Sequence, residues 1–475
     1  MTQPLWTAQE ILKATGGACG RNEWVVNGVA IDSRAVKAGD LFIAIVGPNN
    51  DGHDYVRQAL EMGAVAAIVA HPVEGVTGPL VIVEDTQTAM ENLGQAARAR
   101  TNAKIIAVTG SVGKTGTKEA LAHILSDQGE THWAVGSFNN HWGVPLSLAR
   151  MRADTEYGIF ELGMNHAGEL TPLSKMVQPH VAIITTIAAA HMEFFDSLDD
   201  IARAKAEIFQ GLLPHGVALI NGDIPETDLL ISEAKRLNVQ NIRLFGSSDG
   251  ADIHLEDVTI KSQFSDVSAT LEGHKLDFHL PVPGRHWVQN MLSVLGAVHY
   301  VGADVEQAVF SLQSIKAPSG RGVQLKLKSK DGGDYRLIDE SYNASPIAMQ
   351  AAFKVLGKLD VHEQGRRIAI LGDMRELGDQ ANEIHRSLLN DLLENHVDMV
   401  YASGPHMKHL FEALPRNMQA GYATSSDGLV TVVLSAVRRG DVVLIKGSLG
   451  SKMKVILDAL MAQSDAIKVA GGAEE

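Results

Sequence analysis

The segment best suited to chemistry is a glycine-rich turn followed at once by a lysine and a threonine. It reads Thr109-Gly-Ser-Val-Gly-Lys-Thr115, after an apolar run at 104–108 and before a helix-forming run at 119–126. At such a strand-to-helix turn, free backbone N–H groups and the helix dipole attract phosphate. The lysine can reach the outer phosphates of a nucleotide, and the threonine hydroxyl can bind Mg²⁺. We therefore predict nucleotide phosphate binding, against the alternative of an ordinary glycine turn before a helix.

The turn is a shortened form of the usual phosphate-binding loop. Val108 stands where that loop has its first glycine, whereas the later glycine, the lysine and the threonine keep their places. Because the flanking strand and helix are those that the motif needs, the phosphate-binding interpretation stands. The residues predicted to surround the phosphates are Gly110, Ser111, Val112, Gly113, Lys114, Thr115 and Gly116.

The carboxylate of Glu161 is a second candidate. It lies near the end of the apolar run Tyr157–Leu162, which we predict as a strand. Ligands of parallel α/β sheets bind at the carboxyl ends of the strands. A carboxylate there could coordinate Mg²⁺ or could be a solvated strand end. The following Gly163 indicates a turn, which favours the metal-binding interpretation.

Lys205 lies on an apolar stripe of the predicted helix Asp199–Leu212, together with Ile201 and Ile208. A lysine in apolar surroundings is unfavourable unless it is paired or chemically changed. It could be a surface lysine whose stem packs along the helix and whose amine reaches water. Alternatively, it is shielded, loses its proton, and can be modified or engage a metal-bound phosphate.

Two other polar positions give weaker signals. His191 closes the loop after the predicted strand Val181–Ile187, but a lone histidine is more often structural. Asn139 and Asn140 precede Gly143 in a polar, turn-prone loop of the kind that often lines a substrate. Neither signal assigns a function by itself.

Composition excludes several classes of protein. The formal net charge is -15, and a nucleic-acid partner would need a basic surface. Cys19 is the single cysteine, so an internal disulfide is excluded and a reducing compartment is favoured. We see no signal peptide and no apolar run long enough to span a bilayer. These features predict a soluble cytoplasmic protein.

The chain has 475 residues, which suggests about three domains. We predict the α/β class: a small N-terminal α/β domain at 1–100, a central doubly wound domain with a parallel sheet at 101–316, and a C-terminal Rossmann-like domain at 317–475. An antiparallel addition is predicted at 252–280. The predicted strands are Val25–Asp32, Leu41–Val46, Ala66–Val69, Leu80–Val83, Lys104–Thr109, Tyr157–Leu162, Val181–Ile187, Gly216–Asn221, Tyr335–Ile338, Arg367–Leu371, Met399–Ala402 and Val442–Ile445.

Taken together, these pieces resemble the ATP-dependent Mur ligases, which add amino acids to peptidoglycan precursors. The resemblance covers nearly the whole chain. The motifs that carry it are the phosphate loop, Phe138-Asn-Asn140, Glu161-Leu-Gly163, Ala190-His-Met-Glu193, Ala204-Lys-Ala-Glu207, Gly284-Arg-His286 with Asn290, Gly320-Arg-Gly322 and Asp339-Glu-Ser-Tyr-Asn-Ala-Ser-Pro346. The stretches Leu371-Gly-Asp-Met-Arg-Glu-Leu-Gly378 and Lys446-Gly-Ser-Leu-Gly-Ser-Lys-Met453 are most similar to members that join D-alanyl-D-alanine to UDP-N-acetylmuramoyl-tripeptide.

The resemblance implies a role for each matching residue in ATP-dependent ligation. Lys114 and Thr115 would bind the ATP phosphates and Mg²⁺, and Glu161 and His191 would hold metal ions. Lys205 would carry a carbamate formed with CO2 that positions a second Mg²⁺. The implied contacts to the nucleotide are Asn290 to adenine, Arg321 near the phosphates, Asp339 to the ribose and Tyr342 near the base.

The resemblance also implies where the other substrates bind. The first domain would hold the uridine diphosphate end, through the turn at 32–34 and the loop at 47–53. The Asn139–Asn140 loop would face the muramyl-peptide, and the last domain would bind the dipeptide and close over the acyl phosphate. The implied substrate-binding residues are Ser33, Arg34, Gly47, Asp51, His53, Asn139, Asn140 and Asp373.

Two positions depart from the family pattern. Trp287 stands where a small polar residue is usual, which affects the expected adenine contact, and Gly116 stands where a hydroxyl residue is frequent. The sequence has three alternative interpretations: the tripeptide-forming Mur ligase, a folylpolyglutamate synthetase, and a nucleotide-dependent switch without ligase chemistry. The residues leave open whether lysine or diaminopimelate is third in the peptide. No coiled-coil heptad is visible, and a monomer is expected.

Overall fold

The computed structural model describes residues 3–136, 138–189, 192–362 and 364–471, with side chains up to 467. Its strands form four sheets, and helices cover the two large ones on both faces. This is the expected multidomain α/β class with parallel sheets, and the fold-class prediction is confirmed. The domain boundaries at 100 and 316 stay a prediction.

The first unit holds a four-stranded parallel sheet and a two-stranded antiparallel ribbon. A capping box opens its first helix, since Thr7 and Glu10 exchange hydrogen bonds across the first turn. The strands are β1 Trp6–Thr7, β2 Val25–Val26, β3 Gly28–Ala30, β4 Asp40–Ile43, β5 Ala66–Val69 and β6 Leu80–Ile82. The helices are α1 Ala8–Thr15, α2 Val56–Glu61 and α3 Thr86–Ala99.

The second unit is built on a nine-stranded sheet in the order β15-β14-β13-β12-β11-β10-β7-β9-β8. Its strands are β7 Lys104–Thr109, β8 Thr131–Trp133, β9 Tyr157–Glu161, β10 Val181–Ile184, β11 Val217–Asn221, β12 Asn241–Gly246, β13 Ile253–Ile260, β14 Ser265–Leu271 and β15 His274–Leu280. Its helices are α4 Lys114–Ser126, α5 Gly143–Ala149, α6 Leu170–Val177, α7 Leu198–Ala206, α8 Thr227–Arg236, α9 Arg285–Tyr300 and α10 Val305–Leu312.

Strand β7 lies between β9 and β10 and is parallel to both. The chain leaves β7 toward β9 and β8 on one side and later returns to β10 on the other. The strand order therefore reverses at β7, which is where open α/β sheets bind ligands. The predicted antiparallel addition at 252–280 is confirmed as the β13–β14–β15 meander.

The third unit has six strands in the order β16-β17-β21-β18-β19-β20. Only the β16–β17 pair is antiparallel. The strands are β16 Val323–Lys328, β17 Asp334–Glu340, β18 Arg367–Gly372, β19 Met399–Ser403, β20 Gln419–Ala423 and β21 Val442–Lys446. The helices are α11 Pro346–Lys358, α12 Ala381–Glu394, α13 Met407–Ala413, α14 Val430–Ala436 and α15 Lys454–Gly471.

Three predicted elements are wrong in their extent. The single strand predicted at 25–32 is two strands, since β2 pairs with β1 and β3 pairs with β4. The strand predicted to reach Ile187 ends at Ile184, because the residues after it bond to the phosphate loop. The helix predicted to reach Leu212 ends at Ala206 and continues as a 3-10 turn over 207–211, where the N–H of Gly211 donates to Ser174 Oγ.

The first unit is anchored on the second through α5. The indole N–H of Trp6 donates to the carbonyl of Ala149 at 2.7 Å, and the Arg100 guanidinium lies 3.4 Å from the Trp6 ring centre. Arg150 Nε donates to the carbonyl of Val29 at 2.7 Å. Because α5 follows the loop that carries Asn139 and Asn140, the first unit and this loop share one support.

Candidate active site

The phosphate loop takes a shape that only glycine permits at two positions. Gly110 has φ +146° and Gly113 has φ +94°, conformations that other residues rarely adopt. A Cβ on Gly110 would lie 2.0 Å from Thr185 Oγ1. Gly113 is the N-cap of α4 and brings no side-chain cap. The first N–H groups of α4 are therefore left without intrahelical acceptors and open to an anion.

The loop is held from the side by the segment that follows β10. Ser111 N–H donates to the carbonyl of Thr186 at 2.8 Å, and Ser111 Oγ bonds both the carbonyl and the N–H of Ala188 at 3.0 Å. The Thr185 hydroxyl contacts the carbonyl of Val112 at 2.6 Å. These bonds fix the cradle before a phosphate arrives, so little reorganisation is needed on binding.

Lys114 closes the loop on itself, since its Nζ donates to the carbonyl of Gly110 at 2.7 Å. Burial lowers the pKa of Lys114; the nearby Glu161 carboxylate opposes this shift and the Arg321 guanidinium adds to it. Arg321 follows α10, in the linker to the third unit. Its electrostatic effect on Lys114 indicates that the linker lies close to the loop. Two cations thus lie where phosphate charge is expected.

Glu161 is the centre of a buried oxygen cluster. Its side chain is 2% exposed. The Thr115 hydroxyl donates to Oε2 at 2.8 Å, and the Asn139 amide donates to Oε1 at 2.8 Å. The carboxylate predicted as a metal ligand, the hydroxyl predicted to hold the same ion and a predicted substrate-facing asparagine therefore meet at one point.

Lys205 is in α7 and only 1% exposed. The snorkelling alternative is wrong, because the side chain is buried to its tip. Burial lowers the pKa of Lys205 well below its usual value, and the positive charge of Lys114 adds to the shift. The neutral, nucleophilic form of its amine is therefore more accessible than in an exposed lysine. His191, the other predicted metal ligand, lies outside the described residues.

The start of α9 covers the other side of the loop. A Cβ on Gly113 would lie 2.7 Å from Asn290 Oδ1. The predicted adenine-binding residue therefore packs directly on the phosphate loop. His286, one turn earlier, is half-buried, and desolvation lowers the pKa of its imidazole.

The linker and the start of the third unit complete the cleft. The Arg321 guanidinium lies 4.5 Å from the Tyr342 ring centre. Asp339 accepts the N–H of Gly320 at 2.9 Å and the hydroxyl of Ser341 at 2.6 Å. Asp339 thus ties the linker to β17, and its predicted contact with a ribose stays a prediction.

Two buried lysines were not singled out as site residues from the sequence. Lys118, one turn after Lys114, donates to the carbonyls of Ala134 at 2.6 Å and Gly136 at 2.7 Å, and so holds the loop before Asn139. Lys446 donates to Glu340 Oε2 at 2.9 Å and to the carbonyl of Asn343 at 3.1 Å. The available signal was a lysine within an apolar strand or helix, the same signal that identified Lys205.

Three segments of the chain match domain families that share one name. Residues 25–127 match "Mur ligase family, catalytic domain", residues 108–298 match "Mur ligase middle domain" and residues 325–449 match "Mur ligase, glutamate ligase domain". The chain belongs to the Mur ligase family. The resemblance predicted from the motifs is thereby confirmed.

One Mur ligase relative, the UDP-N-acetylmuramoyl-tripeptide–D-alanyl-D-alanine ligase of Rickettsia prowazekii, is 35% identical over 433 residues, which span 91% of this chain and 94% of the relative. Among solved structures, MurF from Acinetobacter baumannii has a TM-score of 0.84 at 31% identity, covering 96% of this chain and 99% of that one. MurF from Thermotoga maritima in complex with ADP has a TM-score of 0.76 at 26% identity, covering 92% and 98%.

In this Mur ligase the predicted uridine-binding residues lie on loops of the first unit. Ser33 is buried and its hydroxyl donates to Gln58 Oε1 at 2.9 Å, whereas the exposed Arg34 is paired with Asp32. Gly47 lies against the second unit, since a Cβ there would be 3.3 Å from Trp142. The structure thus brings the Gly47 loop next to the loop that holds Asn139 and Asn140.

Asp51 and His53 form a structural pair on the same loop. His53 Nδ1 contacts Asp51 Oδ1 at 2.6 Å, and His53 Nε2 accepts the N–H of Ala70 at 2.8 Å. His71 stacks on His53, and ligand atoms of the three residues lie within 4.8 Å of one another. Because both ring nitrogens of His53 are engaged, the cluster is better suited to shaping the loop than to binding a metal ion.

Two other predicted substrate residues serve as helix caps. Asn140 Oδ1 accepts the N–H groups of Trp142 at 3.2 Å and Gly143 at 2.9 Å, at the start of α5. Asp373 is buried and accepts the N–H of Met407 at 2.7 Å at the start of α13. Their substrate contacts stay predictions. None of the described helices of this Mur ligase is long and apolar enough to cross a membrane.

Proposed function

We propose that this chain is an ATP-dependent ligase that joins D-alanyl-D-alanine to UDP-N-acetylmuramoyl-tripeptide, in cytoplasmic peptidoglycan precursor synthesis. Curated relatives that match more than nine-tenths of the chain carry that activity in their names. The observation that carries the proposal is the convergence of Lys114, Thr115, Glu161 and Lys205 at the reversal of strand order. ATP would supply the free energy, and ADP and phosphate would be released.

The donors at this point fit Mg²⁺. Thr115 and Glu161 offer a hydroxyl and a carboxylate, the oxygen ligands that this hard cation prefers. His191 is proposed as a further ligand, although it lies outside the described residues. When bound, Mg²⁺ would offset the charge of the triphosphate and polarise it toward attack.

We assign to Lys205 the carbamate that the family resemblance implies. The neutral amine attacks CO2, a nitrogen–carbon bond forms, and one proton leaves to solvent. The product is an anion, which would suit a position beside Lys114 and a metal ion. The lowered pKa of Lys205 favours this step, because the amine need not first lose a proton to water.

The reaction follows from charge and positioning. The terminal carboxylate of the peptide attacks the γ-phosphorus of ATP, and the bond from the γ-phosphorus to the bridging oxygen breaks. ADP departs, and the peptide carboxylate has become an acyl phosphate. The amine of D-alanyl-D-alanine then attacks the acyl carbonyl, loses a proton, and phosphate departs. Lys114, Arg321 and the free N–H groups at the start of α4 would offset the repulsion between carboxylate and triphosphate.

The units would share the substrates. We assign the uridine diphosphate end to the first unit at 1–100, the nucleotide and the reacting carboxylate to the central unit at 101–316, and the dipeptide to the unit at 317–475, where Asp373 lies. Asn290 and Tyr342 would contact the adenine, and Asp339 the ribose. The contact between Gly47 and Trp142 supports one continuous path from the first unit to the phosphate loop.

Domain closure would keep the acyl phosphate from water. Supporting contact already exists, because Glu193 N–H donates to the carbonyl of Glu376 at 3.3 Å, between the central unit and the motif at 371–378. Small-angle scattering should show a more compact particle, expected to be a monomer, with ATP analogue and tripeptide substrate than without ligands. Identical dimensions in both states would contradict closure.

An amine-acceptor panel tests the proposed activity. Phosphate release is measured with the uridine-linked tripeptide, carrying either lysine or diaminopimelate, and with single amino acids or D-alanyl-D-alanine as acceptor. We expect release to depend on both the tripeptide and the dipeptide. Activity with the uridine-linked dipeptide and a diamino acid would identify the tripeptide-forming reaction instead, and ATP turnover without any acceptor would indicate a switch.

A further inference from the structure

The indole of Trp287, in one helix, packs where a side chain of residue 116, in another helix, would lie. Gly116 is the third residue of α4 and Trp287 the third of α9. A Cβ on Gly116 would lie 3.2 Å from Cη2 and 3.4 Å from Cζ3 of the indole. Any side chain at 116 would therefore push on Trp287. The two departures from the family pattern are one packing arrangement.

The indole has little room to yield. Trp287 is 6% exposed and belongs to the core between α4, α9 and the sheet. Its opposite edge faces the linker, since Nε1 lies 4.0 Å from the Cβ position of Gly322. Gly322 has φ +102° and its N–H donates to the carbonyl of Asp339 at 2.8 Å. Trp287 is thus wedged between the phosphate-loop helix and the linker to the third unit.

The position of Trp287 affects residues on both sides of the nucleotide cleft. Asn290 is one turn after Trp287 on the same face of α9 and packs on Gly113. Arg321 precedes Gly322 in the linker and is electrostatically coupled to Lys114. The depth at which the indole sits on Gly116 therefore sets how Asn290 and Arg321 are placed around the loop.

We propose that Trp287, seated on Gly116, is a positioning residue that sets nucleotide affinity by fixing α9 and the linker against the phosphate-loop helix. This inference rests on the proposed function only in requiring that the loop binds an adenine nucleotide. It predicts that 116 and 287 act as a pair. A side chain added at one position is tolerated when volume is removed from the other.

The test is a double-mutant cycle on the full chain, read out as the Kd for Mg–ADP by calorimetry and the KM for ATP. Gly116→Ser and Trp287→Asn should each weaken ADP binding by roughly tenfold or more, and the double variant should recover most of the loss. The KM for D-alanyl-D-alanine should change little. Trp287→Phe, which keeps a ring on Gly116, should be intermediate and guards against loss of folding in the larger change.

The outcomes separate this inference from the proposed function. A wild-type chain that binds no Mg–ADP would defeat the proposed function. A wild-type chain that binds it, with folded single variants of unchanged affinity or a double variant whose losses simply add, would overturn the inference alone. Lower melting temperatures with unchanged ADP affinity would assign Trp287 a purely structural role.

Discussion

The Thr115 hydroxyl and the Glu161 carboxylate meet at 2.8 Å, although 45 residues lie between them in the chain. They can meet because β7 and β9 are adjacent and parallel, so the residues after one strand lie beside the end of the other. The carboxylate is buried, and its second oxygen accepts the Asn139 amide. A metal ion bound at this point would have the negatively charged Glu161 carboxylate as a ligand.

Replacing that carboxylate should weaken both metal and nucleotide binding. Glu161→Gln keeps the shape but removes the negative charge, so we expect activity to fall by about 100-fold or more and the Mg²⁺ concentration for half-maximal activity to rise. Magnesium titrations of phosphate release measure this effect. Glu61→Gln, at the exposed end of α2, is the matched control. An unchanged magnesium dependence in Glu161→Gln would argue against the metal role.

The phosphate loop should not accept a side chain at its first glycine. Gly110→Ala places a Cβ 2.0 Å from Thr185 Oγ1 at φ +146°, so we expect loss of measurable Mg–ADP binding by calorimetry. Gly302→Ala is the control, since its φ is +79° and its Cβ would meet open space. That variant should lose about 1 kcal/mol of stability and keep nucleotide affinity. Equal affinities for all three proteins would contradict the assigned cradle.

Lys205 should lower stability while it supports activity. Burial of the Lys205 side chain disfavours the charged form of its amine, so an apolar side chain of similar length suits the site better. We expect Lys205→Met to raise the melting temperature in CO2-depleted buffer and to abolish ligation. Lys175→Met, on the exposed face of α6, should change neither. Short carboxylates should partly restore activity to Lys205→Ala, and activity that is never lost would exclude the carbamate.

His180 should make the fold sensitive to acid. Its Nδ1 accepts the N–H of Ile105 at 2.9 Å, and burial, together with Arg98 and Lys104, lowers the pKa of His180 to about 4. Between pH ~6.5 and ~4 the unfolded chain binds the extra proton, so stability falls as pH falls through this window.

The matched replacement is His180→Asn, whose Oδ1 can still accept the hydrogen bond but does not titrate. Melting temperatures recorded from pH 7 to pH 4 should decline less steeply than in the wild-type chain. His396→Asn, at an exposed position with φ +53°, should follow the wild-type curve. A decline of equal slope in His180→Asn would refute the assignment.

The buried carboxylate of Asp441 and the half-buried guanidinium of Arg366 form an ion pair in the third unit. Nη2 lies 2.6 Å from Oδ2, and the side chain of Asp441 is 1% exposed. Asp441→Ala should destabilise this unit by about 3 kcal/mol, because the partly buried Arg366 guanidinium loses its charged partner. Chemical denaturation measures the loss. The exposed pair of Arg152 and Asp154 is the control, and Asp154→Ala should cost no more than about 1 kcal/mol.

The sequence predicted best the elements whose apolar residues run without interruption. Strand β7 agrees with its prediction residue for residue, because its side chains are nearly all buried and the turn after it is rich in glycine. Two strands at the edges of the third unit, β16 and β20, were missed. Residues 323–328 alternate apolar and polar side chains, which is a strand pattern that the prediction overlooked. Strand β20 has only half-buried side chains and no such alternation.

For the candidate site, sequence reasoning singled out residues that lie together in the structure but not how they pair. Lys205 was noticed because a charge on an apolar stripe demands an explanation. The use of Asn140 as a cap for α5 and the contact of Gly116 with Trp287 depend on tertiary approach, which spacing along the chain does not encode. The early end of β10 was missed for the same reason, since Thr186 bonds to Ser111 rather than to a neighbouring strand.

The bond from the Trp6 indole to the carbonyl of Ala149 has a mechanical consequence. It joins the N-terminal sheet to the same helix that follows the Asn139 loop, so we expect these parts to move together. We expect the motion of a catalytic cycle to occur instead in the third unit, which follows the short Gly320–Gly322 linker. A long precursor would be held still at its nucleotide end while only the incoming amine is carried toward it.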